Sequence, residues 1–401
     1  MISRYRSIES CDVRLEPLTF LVGLNGAGKS NFIDALRFCR DGLRAPLPQA
    51  FANRASNLQT LSHFDSSGSL GFGMRLELSS PFLSPPVHYS LRLGPQSPRG
   101  FEVVSEECVV GRVPDSARTG LPGNVDGVAF WGGGNVLWQI SPGQPPNSSS
   151  RSPDRLYLPT ASGIAQFREV YDALLNMEFY NPDPEVMKVN LDTAGPADVL
   201  EPDGANIASV FERIKMESPV TANRIVDYMR RIVPRLRDIT AATAETYKLL
   251  KFEQESFSGL HTLLASSMSD GTLRALAILI ALFQRSGNEP RPTVLAIEEP
   301  ETGLHPAATG ILFDALREGA TLGQILVSSH SPDLLDSSGI PTESILAVDA
   351  STGVTEIAPL DEAGRSALHD RLYTAGELLR MDQLKPERRS RTRAEVALFD
   401  I

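Results

Sequence analysis

Cysteine, long apolar runs and positive charge are all scarce in this sequence. Its three cysteines form no C-x-x-C pair, which argues against a disulfide framework or a zinc site and favours a reducing compartment. The longest apolar run, Leu276 to Phe283, is too short to span a bilayer, and residues 1–6 lack the apolar core of a signal peptide. We therefore expect a cytoplasmic protein without a membrane partner.

The charge balance limits the partners that the surface can attract. The chain has 38 lysine and arginine residues against 49 aspartate and glutamate residues, a formal net charge of -11. Such a surface does not attract nucleic acid or anionic membrane as a whole, so any DNA contact has to be local. With 41% hydrophobic residues over 401 positions, the chain is not disordered and can form two or more domains with buried cores.

A glycine-rich stretch near the start of the chain carries the clearest motif. Residues 23–30, GLNGAGKS, fit the pattern G-x-x-x-x-G-K-[ST] and lie between a strand-like run, 18–22, and a helix-like segment, 31–38. In this context backbone N–H groups surround phosphates, Lys29 reaches the β- and γ-phosphates, and the Ser30 hydroxyl ligates Mg²⁺. The alternative is a glycine-rich turn before an ordinary helix. The predicted phosphate-contacting residues are Gly23, Asn25, Gly26, Ala27, Gly28, Lys29, Ser30 and Asn31.

Runs of alternating apolar and polar residues after this loop predict antiparallel strands. They lie at Leu70 to Leu78, Val87 to Leu93 and Phe101 to Val110. Glu106 and Glu107 interrupt the third run, and they are either metal ligands or part of a solvated strand edge. No other ligand pattern lies nearby, which favours the solvated edge. Two earlier strands are predicted near Ile2 to Ile8 and Val13 to Val22.

Changes in composition divide the chain into four regions. Residues 1–165 form a first lobe with the phosphate loop and antiparallel strands, and 166–260 form a mainly helical insert. Residues 261–360 form a second lobe with parallel strands, and 361–401 form a helical and basic tail. Within the first lobe, 111–153 is rich in glycine, proline and serine, which predicts an extended surface loop or a loosely built hairpin.

Polar residues follow two buried strand runs in the second lobe. The run 293–297 ends in Glu298 and Glu299, and the run 324–329 ends at His330. Because the carboxyl ends of parallel strands meet at one edge of a sheet, we expect these side chains to share that edge. Carboxylates there can hold Mg²⁺ and polarise water, whereas a lone histidine can also be purely structural.

A capped apolar helix precedes these strands. Ser269 or Asp270 occupies the N-cap position of a helix over residues 273–283, whose free N–H groups can bind an anion. On its own, this pattern is equally typical of an ordinary capped helix.

Together these motifs resemble, in kind and in order, the ABC-type ATPases of the SMC, RecF and OLD group. The resemblance covers both lobes and rests on the phosphate loop, residues 268–272, the pair Glu298 and Glu299, and His330. It implies an α/β fold, an ABC-type (P-loop) ATPase head with a mixed or antiparallel lobe, a parallel-sheet core and a mainly helical insert. It also implies that ATP and Mg²⁺ are bound and that ATP is hydrolysed to ADP and phosphate.

The resemblance also implies roles for residues within one head. Lys29 would bind phosphate, and Ser30 and Glu298 would hold the magnesium. Glu299 would be the general base for the attacking water, and His330 would sense the γ-phosphate.

Other residues would act between two heads that close around two ATP molecules in a homodimer or a higher even oligomer. Ser269 and Gly271 would contact the γ-phosphate bound by the opposite head. The segment from Glu301 to His305 would touch that head.

Differences from other members of this group reduce the number of functions that the resemblance allows. The long interval between Ser30 and Ser267 disfavours a transporter subunit, and the insert lacks the heptads of a long coiled coil. Because the sequence continues for only 71 residues after His330, we expect no fused Toprim nuclease domain. The tail, Tyr373 to Gln383, resembles stand-alone OLD-like bacterial ATPases, which work with a separately encoded nuclease, Toprim-like or HNH, in anti-phage defence.

Two outputs of the ATPase cycle stay open at this point. One is control of a nuclease partner in anti-phage defence or DNA repair, with DNA as a further partner. The other is an ATP-driven protein-binding switch that does not touch nucleic acid. Two basic clusters are either solvated faces or phosphate contacts. They comprise Arg230, Arg231, Arg235 and Arg237, and Lys385, Arg388, Arg389, Arg391 and Arg393.

Overall fold

Three β-sheets and thirteen α-helices form the part of the chain that the computed structural model describes. The described residues are 1–63, 70–80, 83–97, 100–112, 126–132, 135–139, 147–150, 152–189, 199–244, 247–285, 291–337 and 339–388. The strands are β1 Ile2–Tyr5, β2 Ile8–Cys11, β3 Leu18–Val22, β4 Phe72–Ser80, β5 Leu83–Gly94, β6 Glu102–Arg112, β7 Asp126–Gly132, β8 Asn135–Gln139, β9 Asn147–Ser150, β10 Glu178–Tyr180, β11 Leu236–Ala244, β12 Tyr247–Ser256, β13 Gly259–Leu264, β14 Val294–Glu298, β15 Gln324–Ser329, β16 Ile345–Asp349 and β17 Glu356–Pro359.

Thirteen α-helices lie between or after these strands along the described chain. They are α1 Lys29–Arg44, α2 Leu47–Ala52, α3 Leu58–Leu61, α4 Leu158–Ala161, α5 Ala165–Leu175, α6 Pro184–Lys188, α7 Ile207–Glu217, α8 Pro219–Ile232, α9 Asp270–Phe283, α10 Pro306–Ala320, α11 Pro332–Leu335, α12 Glu362–His369 and α13 Ala375–Arg380. None of the helices in the described ranges is both long enough and apolar enough to cross a membrane.

A six-stranded sheet in the order β10-β14-β15-β3-β16-β17 forms the centre of the second lobe and takes β3 from the first. Its first five strands pair in parallel, and β17 pairs with β16 in antiparallel fashion. All five residues of β3 are buried, as expected of a parallel strand covered on both faces. Phe20 packs into one hydrophobic core and Leu21 into the other, so the sheet separates two cores.

An eight-stranded sheet in the order β2-β1-β4-β5-β6-β7-β8-β9 forms the rest of the first lobe. The predicted antiparallel pairing of its central runs is confirmed, with Met74 opposite Leu91. The single strand predicted near Ile2 to Ile8 is wrong, because the chain reverses between β1 and β2. In the glycine-rich region, β7 to β9 pair in sequence at the sheet edge, which favours the hairpin interpretation over an extended loop.

The solvated-edge interpretation of Glu106 is wrong. Its side chain is fully buried in the middle of the sheet. The carboxylate accepts hydrogen bonds from the Tyr89 hydroxyl at 3.1 Å and from the backbone N–H groups of Tyr157 and Leu158. A buried charge is tolerated when it is fully hydrogen-bonded, so Glu106 joins the sheet to the start of α4.

The insert contains the predicted helices α5, α7 and α8, and it also contains strands that the sequence analysis did not identify. The short strand β10 pairs with β14 at the edge of the central sheet. Strands β11 to β13 form a separate antiparallel sheet that leads into the start of α9. In the tail, α12 and α13 are helical, whereas Arg389, Arg391 and Arg393 lie outside the described residues.

Candidate functional site

Three neighbouring strands of the central sheet end at the same edge. The phosphate loop follows β3, Glu298 and Glu299 lie at the end of β14, and His330 follows β15. The register aligns these ends, because Ser328 lies opposite Glu298 and Ser329 lies opposite Val22. The fold therefore brings the acidic pair and His330 to one edge, as the sequence predicted, and places the phosphate loop beside them.

The backbone of the phosphate loop requires glycine at three positions. Gly26 and Gly28 have φ angles of 78° and 105°, in the left-handed region that other residues rarely adopt. At Gly23, a Cβ atom would lie 2.1 Å from the carbonyl oxygen of Val348. Helix α1 begins at Lys29 with no side-chain cap, so its first N–H groups face the loop, where an anion can bind.

Lys29 is buried within this loop. Its Nζ donates hydrogen bonds to the carbonyl oxygens of Gly23 at 2.8 Å and Leu24 at 3.0 Å. Burial lowers the pKa of Lys29, and the nearby carboxylates of Glu299 and Glu301 oppose this change. Phosphate oxygens can replace the two carbonyl oxygens as hydrogen-bond acceptors of the Lys29 ammonium group, and they can also accept hydrogen bonds from the free N–H groups of the loop. The environment of Lys29 therefore suits phosphate binding.

A polar network that the motif did not reveal fixes the back of the loop. The Asn31 amide donates to the Ser7 hydroxyl at 2.6 Å, and that hydroxyl lies 2.7 Å from the Thr355 hydroxyl. Thr355 in turn donates to the carbonyl oxygen of Ala27 at 2.8 Å. Thr355 also packs so closely on Gly28 that a Cβ atom there would lie 2.3 Å from its hydroxyl oxygen. Asn31 therefore supports the loop from behind, together with two residues distant in sequence.

Glu298 is paired with an arginine of α1. Its Oε1 lies 3.2 Å from Arg37 Nη2, and the Arg37 guanidinium lies 5.3 Å from the centre of the Phe179 ring. Ser30 is exposed at the start of the same helix. Sequence spacing could not reveal Arg37, because the contact joins a helix face to the end of a distant strand.

The donor atoms at this edge fit a magnesium ion. Buried Ser328 Oγ, which lies opposite Glu298 in the sheet, has no hydrogen-bond partner among the described residues. Hydroxyl and carboxylate oxygens are the ligands that Mg²⁺ prefers. In the described part of the chain, no group of three His, Cys, Asp or Glu side chains could hold a metal alone. One carboxylate with hydroxyls and substrate phosphates is the usual environment of protein-bound Mg²⁺.

Glu299 and His330 form a close pair beside the loop. Glu299 Oε1 lies 3.2 Å from His330 Nδ1, within ion-pair range when the histidine is protonated. Glu299 has a φ of 45°, a left-handed conformation that costs a non-glycine residue about 1–2 kcal/mol. Its backbone N–H donates to the carbonyl oxygen of Ser328 at 2.9 Å, which holds it at the strand end. Such local strain is typical of functional sites.

The start of α9 has the cap that the sequence predicted. The Ser269 hydroxyl is the N-cap and accepts a hydrogen bond from the Thr272 N–H at 3.3 Å. Asp270 pairs with Lys188 at 2.5 Å. Gly271 is buried against the turn after β14, where a Cβ atom would lie 2.0 Å from the Gly303 carbonyl oxygen. Gly271 therefore has a packing role within its own chain.

The Glu301 side chain points into its own chain. It is only 6% exposed, and it accepts a hydrogen bond from the Ser329 hydroxyl at 2.7 Å. Contact of the segment from Glu301 to His305 with another head stays a prediction. His305 caps α10 by accepting a hydrogen bond from the Ala307 N–H at 3.2 Å.

Most side chains of the first basic cluster have acidic neighbours. Arg230 pairs with Asp227 at 2.8 Å and Arg231 with Asp314 at 3.0 Å, and Arg237 pairs with Glu255. Arg235 lies over the ring of exposed Phe257. Lys385 of the second cluster pairs with Asp349 and Asp382. These contacts favour solvated, locally balanced faces over phosphate binding.

Comparisons with known proteins identify a family and a fold. Residues 18–101 and 145–336, more than half of the chain, match the model of the family described as "AAA domain, putative AbiEii toxin, Type IV TA system". No curated protein matches the sequence. Among solved structures, the chain is similar to an Smc head bound to the C-winged helix domain of ScpA. The identity is 14%, the match covers 91% of this chain and 98% of that chain, and the TM-score is 0.50.

Two further SMC heads are also similar. The Smc head domain with an extended coiled coil from Pyrococcus furiosus gives 12% identity, coverage of 92% and 98%, and a TM-score of 0.46. The SMC head domain from Thermotoga maritima gives 12%, coverage of 90% and 97%, and a TM-score of 0.41. The match to the first head confirms the predicted α/β fold of an ABC-type, P-loop ATPase head, and at this identity it shows the fold alone.

Proposed function

Because the chain belongs to this AAA-domain family, we propose that it binds ATP with Mg²⁺ and hydrolyses it to ADP and phosphate. The observation that carries this proposal is the meeting of the phosphate loop, the acidic pair and His330 at one sheet edge. Ligands of open α/β sheets bind outside the carboxyl ends of the strands, which is where these groups lie.

We propose the following roles for the residues of one head. Lys29 and the N–H groups of the loop bind the phosphates, and the lysine exchanges its carbonyl bonds for phosphate oxygens. Glu299 accepts the proton of the attacking water, while His330 beside it donates a hydrogen bond toward the γ-phosphate. Ser30 and Glu298 hold Mg²⁺, which when bound neutralises charge on the phosphates.

Two copies of the chain would complete each other's sites. Ser269 and Asp270 are exposed at the start of α9, although nearly all of the rest of that helix is buried. An exposed helix start offers N–H groups and a positive dipole end to an anion outside its own chain. The γ-phosphate held by a second copy is the anion that we propose, with Ser269 and the amide of Gly271 as its contacts.

The output of the cycle that we propose is control of a separately encoded nuclease or other effector, in anti-phage defence or DNA repair. The similar Smc head is bound to a domain of another protein, which supports control of a partner by a head of this fold. A second candidate is a protein-binding switch without nucleic-acid contact. The acidic partners of the arginines favour this second candidate, because they leave little unbalanced positive charge.

Glu299→Gln tests the two-head ATPase. Removing the base should slow hydrolysis about 100-fold or more while ATP still binds, so the protein should accumulate as a closed dimer. Native mass spectrometry in ATP and Mg²⁺ should then show twice the chain mass, and none of this dimer without ATP. Glu343→Gln is the matched control, because this exposed glutamate precedes β16 at the amino-terminal edge of the parallel strands, opposite the proposed site.

Normal turnover in Glu299→Gln would refute the assigned base, and a monomer indifferent to ATP would refute the two-head mechanism. The same variant, tagged and purified from its own host, separates the two outputs. A second chain with nuclease activity supports the effector proposal. A partner without nuclease activity, together with no salt-sensitive DNA binding, supports the protein switch.

A further inference from the structure

Glu301 occupies a position that the proposed roles leave unused. It lies two residues after Glu299 in the turn that follows β14, and its side chain is buried. The Ser329 hydroxyl donates a hydrogen bond to Glu301 Oε1 at 2.7 Å and accepts a hydrogen bond from the Ser331 N–H at 3.0 Å. A single carboxylate is thus connected to the turn that carries His330.

The two turns joined in this way each hold one member of the pair described above. The acidic turn, residues 298–304, carries Glu299, and the histidine turn, residues 329–332, carries His330. Within the acidic turn, the Thr302 N–H donates to the Glu299 carbonyl oxygen at 3.1 Å, and the Leu304 N–H donates to that of Glu301 at 3.0 Å. A shift of one turn against the other would change the 3.2 Å separation of Glu299 and His330.

The electrostatic interactions of Glu301 also connect it with the histidine turn and with the phosphate loop. Burial raises its pKa, and the hydrogen bond from Ser329 together with the neighbouring His330 opposes this rise. Its charge also acts on Lys29, whose pKa it raises against the effect of burial. Hydrogen bonds from the backbone N–H groups of Glu301 and His330 also oppose the rise in its pKa, so the carboxylate interacts directly with the turn that carries His330.

We propose that Glu301 is a positioning residue for hydrolysis, which holds the histidine turn against the acidic turn so that Glu299 and His330 act together. This proposal rests on the ATPase function proposed above. It concerns the rate of hydrolysis after ATP has bound, because Glu301 acts through Ser329 and the two turns.

Three substitutions separate this role from a general structural one. Glu301→Ala and Ser329→Ala each remove the hydrogen bond that links the two turns. Glu301→Gln keeps an oxygen that can accept the hydrogen bond from the Ser329 hydroxyl. We expect kcat to fall about tenfold or more in both alanine variants and no more than threefold in Glu301→Gln. The double variant Glu301→Ala with Ser329→Ala should be no slower than either single variant, because both remove the same link.

The readouts are kcat, the affinity for ATP with Mg²⁺ measured by equilibrium binding, and the thermal midpoint of the full-length protein. ATP affinity should change less than twofold in all three variants. Unchanged kcat in Glu301→Ala would overturn the proposal, as would additive losses in the double variant. A fall in ATP affinity as large as the fall in kcat would overturn it too, since that pattern indicates general distortion of the loop. If the unmodified protein hydrolyses no ATP, the proposed function fails before this inference is tested.

Discussion

The phosphate loop and the start of α9 differ in how much of their surroundings one chain provides. The loop is enclosed: Lys29 is buried, Gly23 packs against β16, and Thr355 supports the loop from behind. At the start of α9, the packing supports the helix but leaves Ser269 and Asp270 exposed. Under the proposed two-head mechanism, a single chain therefore supplies the whole phosphate loop, whereas the start of α9 is a surface that a second copy can contact. Changes at the loop should alter ATP binding, and changes at the helix start should alter assembly.

The largest effect is expected for ATP affinity after a substitution in the phosphate loop. Lys29→Ala removes the only side-chain cation that the motif places on the phosphates, so ATP affinity should fall about 100-fold, or roughly 2.8 kcal/mol. Isothermal titration with ATP and Mg²⁺ measures this loss. Lys251→Ala on β12 is the control and should bind normally. Equal affinity in both variants would mean that the loop does not bind the nucleotide.

Gly271→Ala tests how the start of α9 packs against the turn after β14. The new Cβ would collide with the backbone of Gly303, so the free energy of unfolding should fall by about 1–3 kcal/mol. Urea denaturation measures this change. Gly310→Ala is the matched control, because beyond the neighbouring backbone of α10 no atom of the described residues lies within 4 Å of its Cβ position. That substitution should stabilise the protein by up to about 1 kcal/mol, and equal behaviour of the two variants would contradict the packing role of Gly271.

Thr355→Val preserves the side-chain shape and removes the hydrogen bond to the Ala27 carbonyl oxygen. Leaving that buried acceptor unpaired should reduce stability by about 1–2 kcal/mol and weaken ATP binding several-fold, because the loop loses its rear support. Thr352→Val, in an exposed turn nearby, should change neither quantity. Chemical denaturation and ATP titration together check the result, and ATP affinity equal to that of Thr352→Val would contradict the supporting role.

Ser269→Ala should have the smallest effect on a single chain. Loss of the N-cap reduces stability by about 1 kcal/mol, and ATP affinity of the monomer should stay within twofold. In the Glu299→Gln background, the same change should abolish the ATP-dependent dimer seen by native mass spectrometry. Asp361→Ala removes a comparable N-cap from α12 and should leave the dimer intact. A dimer that survives Ser269→Ala would mean that the start of α9 does not face a second copy.

The sequence predicted the groups whose spacing follows directly from local geometry. The loop glycines, the tandem acids after four apolar residues and the histidine after β15 are each defined by neighbours along the chain, and strand ends in a parallel sheet must meet. The network of Ser7 and Thr355 has no such local pattern, because its contacts join residues 348 apart in sequence. The pairing of Arg37 with Glu298 is equally remote, at a separation of 261 residues.

Burial was the harder quantity to predict. Glu106 belongs to a residue type that is almost always exposed, and its partners at Tyr157 and Leu158 could be identified only in the folded chain. The burial of Glu301 likewise depends on a contact with Ser329, which lies 28 residues further along the chain. Strand β10 has only three residues, too short for periodicity, and β13 is almost entirely exposed, so it lacks the buried face that reveals a strand.

The left-handed backbone conformation of Glu299 lowers the stability of the fold, whereas its carboxylate is the proposed base for ATP hydrolysis. Glycine would adopt the φ of 45° without strain and would relieve about 1–2 kcal/mol, yet it would remove the carboxylate that lies beside His330. Under the proposed mechanism, selection for a more stable fold alone would therefore favour an inactive protein at this position. Retention of the strained glutamate is then expected only under selection for ATP turnover rather than for stability.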